Sequence, residues 1–331
     1  MFSLKHVKNL LLYYLGSGFQ QWKDRPNGLY CFNYHRIGDI SECELDSNVF
    51  SCNAAVLEKH LLFFRENFTV VSLTELSEII KTKKPINKKL ALLTFDDGYQ
   101  DNYKVAYPLL KKYGLTATFF VATDFIGNSE IPWWDQIAWI IKQSKNTSIK
   151  IPFSSQIVNT KNRNINNAIR IALDCLKNSS VRIDIFIEKL AENANISQVL
   201  KHKDNLFMSW DMLKEMQKNT MDIGSHGCSH RILSFLTSSE QSDEIIRSKK
   251  ILETQIGIKV SSFAFPVGNH ASYTKETCEL LKQAGYQLGF SYIAGINQNN
   301  YEKIMDLRRL SVANNCSTLD LKLSCANAKL Y

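Results

Sequence analysis

The feature that most constrains this chain is an alternation. Short apolar runs are separated by stretches whose apolar residues recur at helical spacing. Leu29 to His35 follows the turn residues Pro26-Asn27-Gly28 and reads as a first buried strand. Val56, Leu57, His60, Leu61 and Phe64 then mark a helix. Phe68 to Ser72 reads as a strand and Leu73 to Lys81 as a helix, capped by Ser72 or Thr74. Further strands are expected at Leu90 to Phe95, Ala117 to Ala122, Met221 to Gly224, Ser262 to Phe265, Leu288 to Tyr292 and Leu310 to Ala313. The intervening helices are Tyr103 to Tyr113, Trp210 to Lys218, Ser239 to Ile256 and Lys275 to Ala284. Gly114, Gly257 and Gly285 stop three of them. Repetition of strand and helix predicts an α/β fold with a parallel sheet.

The alternation breaks between about Gly127 and Asn205, where Asn, Lys and Ser are frequent. This segment is too long for a bare loop and predicts an insertion with its own packing. Its expected helices are Asp135 to Gln143, Asn164 to Leu176 and Val181 to Ala191. The 331 residues, 44% hydrophobic and 22% charged, suit a packed unit of barrel size. The net charge of +8 lies partly in Lys81-Thr82-Lys83-Lys84 and Lys88-Lys89. It suits either a solubilising surface or an anionic partner. No zinc-finger spacing, aromatic RNA-binding motif or long basic block occurs, so no nucleic-acid partner is expected.

The eight cysteines include no Cys-x-x-Cys pair and read as reduced thiols, which favours the cytoplasm. Leu4, Val7, Leu11, Tyr14, Gly18 and Trp22 recur at helical spacing beside Lys5 and Lys8. Residues 1–28 are therefore expected to be an amphipathic helix and linker, and residues 29–331 the main body. Such a helix either packs on the body or lies on the inner face of a membrane. The apolar run Leu10 to Leu15 is too short, and lacks the cleavage pattern, for an expected cleaved signal. No apolar stretch is long enough to span a bilayer.

Two segments carry chemistry. Thr94-Phe95-Asp96-Asp97-Gly98 brings two adjacent carboxylates to the end of an apolar strand. Like charges side by side need a cation or hydrogen bonds to offset them, and barrel enzymes place catalysis at that end of their strands. Alone, the segment would pass for a turn. Gly224-Ser225-His226-Gly227-Cys228-Ser229-His230 places two histidines four residues apart directly after a strand. On a turn of helix that spacing puts both imidazoles on one face, as a divalent metal requires. Gly224 and Gly227 weaken a helical reading and point to backbone held close to something. Together the segments supply a carboxylate and two imidazoles, a zinc-suited set that leaves coordination positions open. Phe263-Ala264-Phe265-Pro266-Val267-Gly268 is a third strand exit at the same rim.

With these motifs in order, the chain resembles the polysaccharide deacetylases of carbohydrate esterase family 4. Thr94 to Gly98 is followed by Ala117-Thr118-Phe119-Phe120-Val121, then Ile223-Gly224-Ser225-His226 with His230, then Phe263-Ala264-Phe265-Pro266. Tyr34-His35-Arg36-Ile37 also resembles the opening of many bacterial members. The resemblance covers roughly residues 29–315, minus the insertion. It implies a distorted (β/α)7 barrel, similar to a TIM barrel, with a mainly helical insertion at about 127–205. It implies that Asp97, His226 and His230 hold one divalent metal ion, zinc first, with cobalt, nickel and manganese as alternatives. It further implies Asp96 as general base and the Val267 backbone N–H as an oxyanion donor. The implied activity is removal of an N-acetyl group from an amino sugar in a polysaccharide, an oligosaccharide or a lipid-linked envelope precursor.

The chain departs from the family pattern in two places. An arginine usual two residues before the proline is replaced by Ala264, and Arg309 or Arg308 is the candidate to supply its charge. The usual Leu-x-His acid motif is missing, which leaves His270 and His35 as candidate acids. Trp133, Trp134 and Tyr99 are candidate substrate contacts, and the tryptophans could equally anchor the insertion. Two rival readings remain: a deformylase or other amide hydrolase acting on a lipid-linked amino sugar, and a catalytically silent carbohydrate-binding protein.

Overall fold

Strands buried on both faces read as continuous apolar runs, and the runs above form such strands. The computed structural model describes residues 13, 16–41, 43–161, 164–299, 301–314 and 316–331. The central strands are β1 (Gly28–Tyr34), β2 (Thr69–Val70), β3 (Lys89–Asp97), β4 (Thr118–Val121), β5 (Asp222–Ser225), β6 (Ser262–Ala264), β7 (Leu288–Phe290) and β8 (Arg309–Ser311). They pair in the order β7-β6-β5-β4-β3-β1-β8, every pairing parallel. Short β2 adds to the start of β3 through Thr69–Leu90 and Val70–Ala91. A bridge between Phe290 and Leu307, just before β8, brings the two ends of the path together. The result is a nearly closed parallel barrel ringed by helices, the distorted (β/α)7 form expected.

Alternation along each strand sorts side chains into two cores. Tyr30, Phe32, Ala91, Leu93, Phe95, Phe119 and Val121 face the helices, where Leu57, Leu61 and Phe64 of helix Ala54–Asn67 meet them. Leu29, Cys31, Leu90, Leu92, Phe120, Leu288, Phe290 and Leu307 form a separate cluster inside the barrel. The inward files of β1 and β3 are in register, Leu29 with Leu90, Cys31 with Leu92 and Asn33 with Thr94. Each file starts apolar and ends polar, so the barrel is dry at the bottom and carries polar groups at the C-terminal mouth.

Helix boundaries follow local chemistry. Ser72 with Glu75, and Thr237 with Glu240, form capping boxes at the starts of helices Leu73–Lys81 and Ser238–Ile256. Gly114 and Gly257 end two helices in the left-handed conformation. The helix expected from Tyr103 to Tyr113 instead opens as a π-turn over Asn102–Ala106 and becomes regular at Tyr107. Asn102 donates to the His35 carbonyl there, and Asp101 accepts from the Ile37 N–H.

Helices Trp133–Gln143, Ile165–Lys177 and Ile183–Asn193 and an antiparallel pair, Ser148–Lys150 with Ile157–Asn159, fill the interrupting segment. They share a core of Ile137, Ile140, Ile141, Ile149, Ile169, Leu173, Phe186 and Leu190. Most of the amphipathic N-terminal helix expected over residues 1–28 lies outside the described residues. Within them, Gly18–Lys23 is helical, and its Trp22 is buried against Phe63 and Phe68. It packs against a C-terminal helix, Thr318–Asn327, which the sequence pattern did not reveal.

Candidate active site

The inward file of β3 ends at Asp96, placing its carboxylate inside the barrel mouth. Arg309, on the inward file of β8, reaches it with both terminal nitrogens: Nη1 donates to Oδ1 and Nη2 to Oδ2, each at 2.8 Å. Asn33 Nδ2 donates to the same carboxylate at 3.1 Å. Arg309 in turn donates from Nε to the Ser291 carbonyl and from Nη1 to Asn33 Oδ1. It is only 1% exposed, among the largest fully buried side chains. Burial pushes the Asp96 carboxyl up, but the charges of Arg309 and His226 outweigh it and hold it below the ordinary carboxylate value. Arg308 points elsewhere, pairing with Asp306 and lying over the Tyr331 ring.

Asp97 would face outward by alternation, but its φ of +74° turns the chain. Gly98 follows at +88°, where a Cβ would come within 2.8 Å of Ile126 Cδ1. Asp97 Oδ1 lies 3.5 Å from His226 Nε2 and 3.5 Å from His230 Nε2. The histidines reach it from a loop, not from the helix their spacing suggested: residues 226–230 form no helical turn. Gly227 and His230 adopt φ of +77° and +56°, which bends the segment so that both rings converge. Glu244, on helix Ser238–Ile256, holds this loop by accepting from the Cys228 N–H, the Ser229 N–H and the Ser229 hydroxyl. Cys228 turns away from the histidines, its Sγ donating to the Glu244 carbonyl.

The donor set fits a divalent cation. The ligand atoms of Asp97, His226 and His230 lie within 4.8 Å of one another, and all three residues are buried. Asp97 Oδ1 has no hydrogen-bond partner among the described residues. His226 Nδ1 lies 2.7 Å from the Ala264 carbonyl, to which it must donate, so Nε2 keeps its lone pair toward Asp97. Burial, then repulsion from His226, pushes His230 down to about 3. Burial raises the Asp97 carboxyl, but His226, His35 and His230 outweigh it and hold Asp97 well below the ordinary value. Burial lowers His226, yet Asp96 and Asp97 raise it overall, so a proton competes with a cation there.

These groups line a cavity of about 240 Å³ with His35, Trp133, Trp134, Val267, Tyr292, Arg309 and, from the insertion, Arg170 and Lys177. Val267 sits at φ +62°, an uncommon conformation for a β-branched residue. No hydrogen bond engages its N–H among the described residues. Asp97, His230 and Val267 thus all carry backbone strain at one site, where strain tends to mark function.

Two sequence expectations need correction. His270 is exposed on its loop and outside the cavity wall, whereas His35 is part of that wall. Tyr99 is fully buried behind the cavity, stacked on Phe207 and hydrogen-bonded to Asp135, so it is no substrate contact. Sequence reasoning also missed Asn33, Asp135 and Glu244. Only the polar end of an otherwise apolar strand signalled the first.

A family profile described as polysaccharide deacetylase matches residues 83–148 and 157–289. The chain belongs to the polysaccharide deacetylase family. It is 24% identical over 267 residues to the "Putative polysaccharide deacetylase YxkH" of Bacillus subtilis (strain 168), a match covering 80% of this chain and 65% of that protein. It is 31% identical over 88 residues to the poly-beta-1,6-N-acetyl-D-glucosamine N-deacetylase of Escherichia coli (strain K12), covering 26% of this chain and 13% of that one. The fold is similar to the Streptococcus pyogenes deacetylase PplD in complex with acetate, with TM-score 0.60, 20% identity and coverage of 91% of this chain and 99% of that one. It is also similar to IcaB from Ammonifex degensii, with TM-score 0.57, 18% identity and coverage of 91% and 98%. Deacetylases of this family depend on a metal, and Asp97, His226 and His230 are a candidate site for one. No helix among the described residues is long and apolar enough to cross a membrane.

Proposed function

We propose that this protein is a metal-dependent hydrolase that removes the N-acetyl group from an amino sugar. The observation that carries the reading is the division of labour between adjacent carboxylates. Asp96 is gripped by Arg309, while Asp97 Oδ1 is left to face two imidazoles. Asp97, His226 and His230 would hold the ion. A divalent cation there would supply Lewis acidity to water and to the amide carbonyl.

The remaining work falls to the chain. Arg309 and Asn33 keep Asp96 ionised and oriented, so Asp96 takes the proton of the attacking water. The Val267 N–H donates to the oxygen that becomes negative as the tetrahedral intermediate forms. His35, on the cavity wall, is the candidate to protonate the departing amine. Trp133 and Trp134 offer the cavity apolar surface that suits a sugar face.

The substrate proposed is a chain of N-acetylated amino sugars or its lipid-linked envelope precursor. The named activity of the Escherichia coli relative makes β-1,6-linked N-acetylglucosamine oligomers the first probe. Lys5 and Lys8, ahead of the packed Trp22, suit a peripheral station on a membrane, and eight cysteines without a Cys-x-x-Cys pair suit the cytoplasm.

Purified protein loaded with zinc, cobalt, nickel or manganese should release acetate from such oligomers, followed by mass spectrometry. Formate released from N-formyl sugars, with acetyl sugars untouched, would favour the deformylase reading. Asp96→Asn should lower kcat by roughly 10²- to 10⁴-fold with metal content unaltered. An Asp96→Asn protein as active as the parent would sink the assignment of the base.

A further inference from the structure

We infer that the aromatic start of helix Trp133–Gln143 is a positioning device for His230, holding by packing what a hydrogen bond holds in His226. The inference rests on the metal reading above. A metal-ligating histidine ordinarily hydrogen-bonds its second ring nitrogen, which fixes the ring. His226 does so through Ala264. His230 does not: its Nδ1 is buried with no hydrogen-bond partner among the described residues. Its backbone also sits at φ +56°, a conformation that does not hold itself.

Two tryptophans supply the restraint. The Trp134 ring lies 4.4 Å from the His230 ring, centroid to centroid. The Trp133 indole N–H donates to the His230 carbonyl at 3.2 Å. Trp134 is itself fixed, its indole N–H donating to Tyr99 Oη at 2.8 Å. The Tyr99 hydroxyl donates onward to Asp135 Oδ2 at 3.0 Å. Asp135 Oδ1 accepts from the Asp46 N–H at 2.8 Å, and Asp46 belongs to the cavity wall.

This chain joins three parts of the site. Tyr99 lies two residues beyond Asp97 on the same turn, Trp134 braces His230, and Asp46 belongs to the cavity wall. Asp135 is completely buried and makes no ion pair within 4 Å among the described residues. A carboxylate in that setting is destabilising unless both oxygens are satisfied; among the described residues the Tyr99 hydroxyl and the Asp46 N–H hydrogen-bond them, and the nearby Arg36 charge favours the ionised form. The insertion therefore begins with a brace for a ligand, and the two tryptophans that line the cavity also support it.

The test uses the whole 331-residue chain and reads metal binding, not turnover. Zinc affinity is measured by chelator competition, and ligand geometry by the visible spectrum of the cobalt-loaded protein. Trp134→Ala should weaken zinc binding roughly 10- to 100-fold and shift the cobalt spectrum. Trp134→Phe, which keeps a ring against His230, should recover most of that affinity. Tyr99→Phe, which deletes one oxygen and frees the indole, should fall between parent and Trp134→Ala, and it tests the same chain if Trp134→Ala fails to fold. Trp139→Ala, on the same helix but outside the cavity wall, should bind zinc as the parent does. Parent-like affinity and spectrum in both Trp134→Ala and Tyr99→Phe would overturn the inference, as would an equal loss in Trp139→Ala. A parent protein that binds no zinc, cobalt, nickel or manganese would instead overturn the metal reading itself.

Discussion

At the scale of single residues, the Asp96–Arg309 pair is the one most sensitive to loss of either partner. Both groups are buried, and each is satisfied largely by the other. Removing one member of such a pair leaves an uncompensated charge, so Arg309→Met should cost about 3–5 kcal/mol of stability, measurable by urea denaturation. Arg309→Lys should restore charge without the two-pronged grip, and so recover stability better than kcat. His60 gives a second prediction, far from the chemistry. It is buried between the Tyr34 hydroxyl at 3.0 Å and the Cys316 carbonyl at 2.9 Å, and burial lowers it to about 4. The unfolded chain takes up that proton near its ordinary value of 6.5, the folded chain only near 4. Between those values the unfolded state binds more protons, so stability is present above about 6.5 and falls toward pH 4. The loss should reach about 3 kcal/mol, and His60→Gln should flatten this part of the pH profile in denaturation midpoints taken at pH 4.5 and 7.

At the scale of elements, the histidine loop depends on neighbours distant in sequence. Both Glu244 carboxylate oxygens are used on it, so Glu244→Leu leaves the two backbone N–H groups and the Ser229 hydroxyl without their acceptor. The expected effect is a loss of about 1–3 kcal/mol together with weaker zinc binding in the same chelator competition. Gly224, in β5, has no room for a side chain: a Cβ would stand 2.4 Å from Phe120 Cε1 and 2.7 Å from Ser262 Oγ. Gly224→Ala should therefore lower thermal stability by about 1–3 kcal/mol, and a Tm equal to the parent's would refute the close packing of β5. The glycines around the histidines were legible as a sign of close backbone approach. The loop itself was not, because a spacing of four residues looks the same in a helix and in a bend closed by positive φ. The C-terminal helix was missed although Ser317 and Asp320 form a capping box there, since its mixed apolar pattern gave little periodicity.

At the scale of the whole molecule, a cation bound only by the folded barrel should stabilise it by mass action. Zinc at about 100 times its Kd should add roughly 2.7 kcal/mol, seen as a higher Tm, and His226→Ala with His230→Ala should abolish the shift. The parallel α/β alternation, the interrupting segment and the residues Asp96, Asp97, His226 and His230 could all be read in one dimension. Those features are local: apolar runs, periodicity and short motifs survive in one dimension. Only the tertiary structure chose Arg309 over Arg308, because register with Cys31 on β1 turns Arg309 toward the barrel interior, where it meets Asp96. It likewise favoured His35 over His270, since one lies on the cavity wall and the other in solvent. It also moved Tyr99 from substrate contact to hidden support. Partners such as Arg309 with Asp96, or Trp134 with His230, come from elements far apart in the chain. Their meeting is set by strand order and barrel closure, which no local pattern encodes.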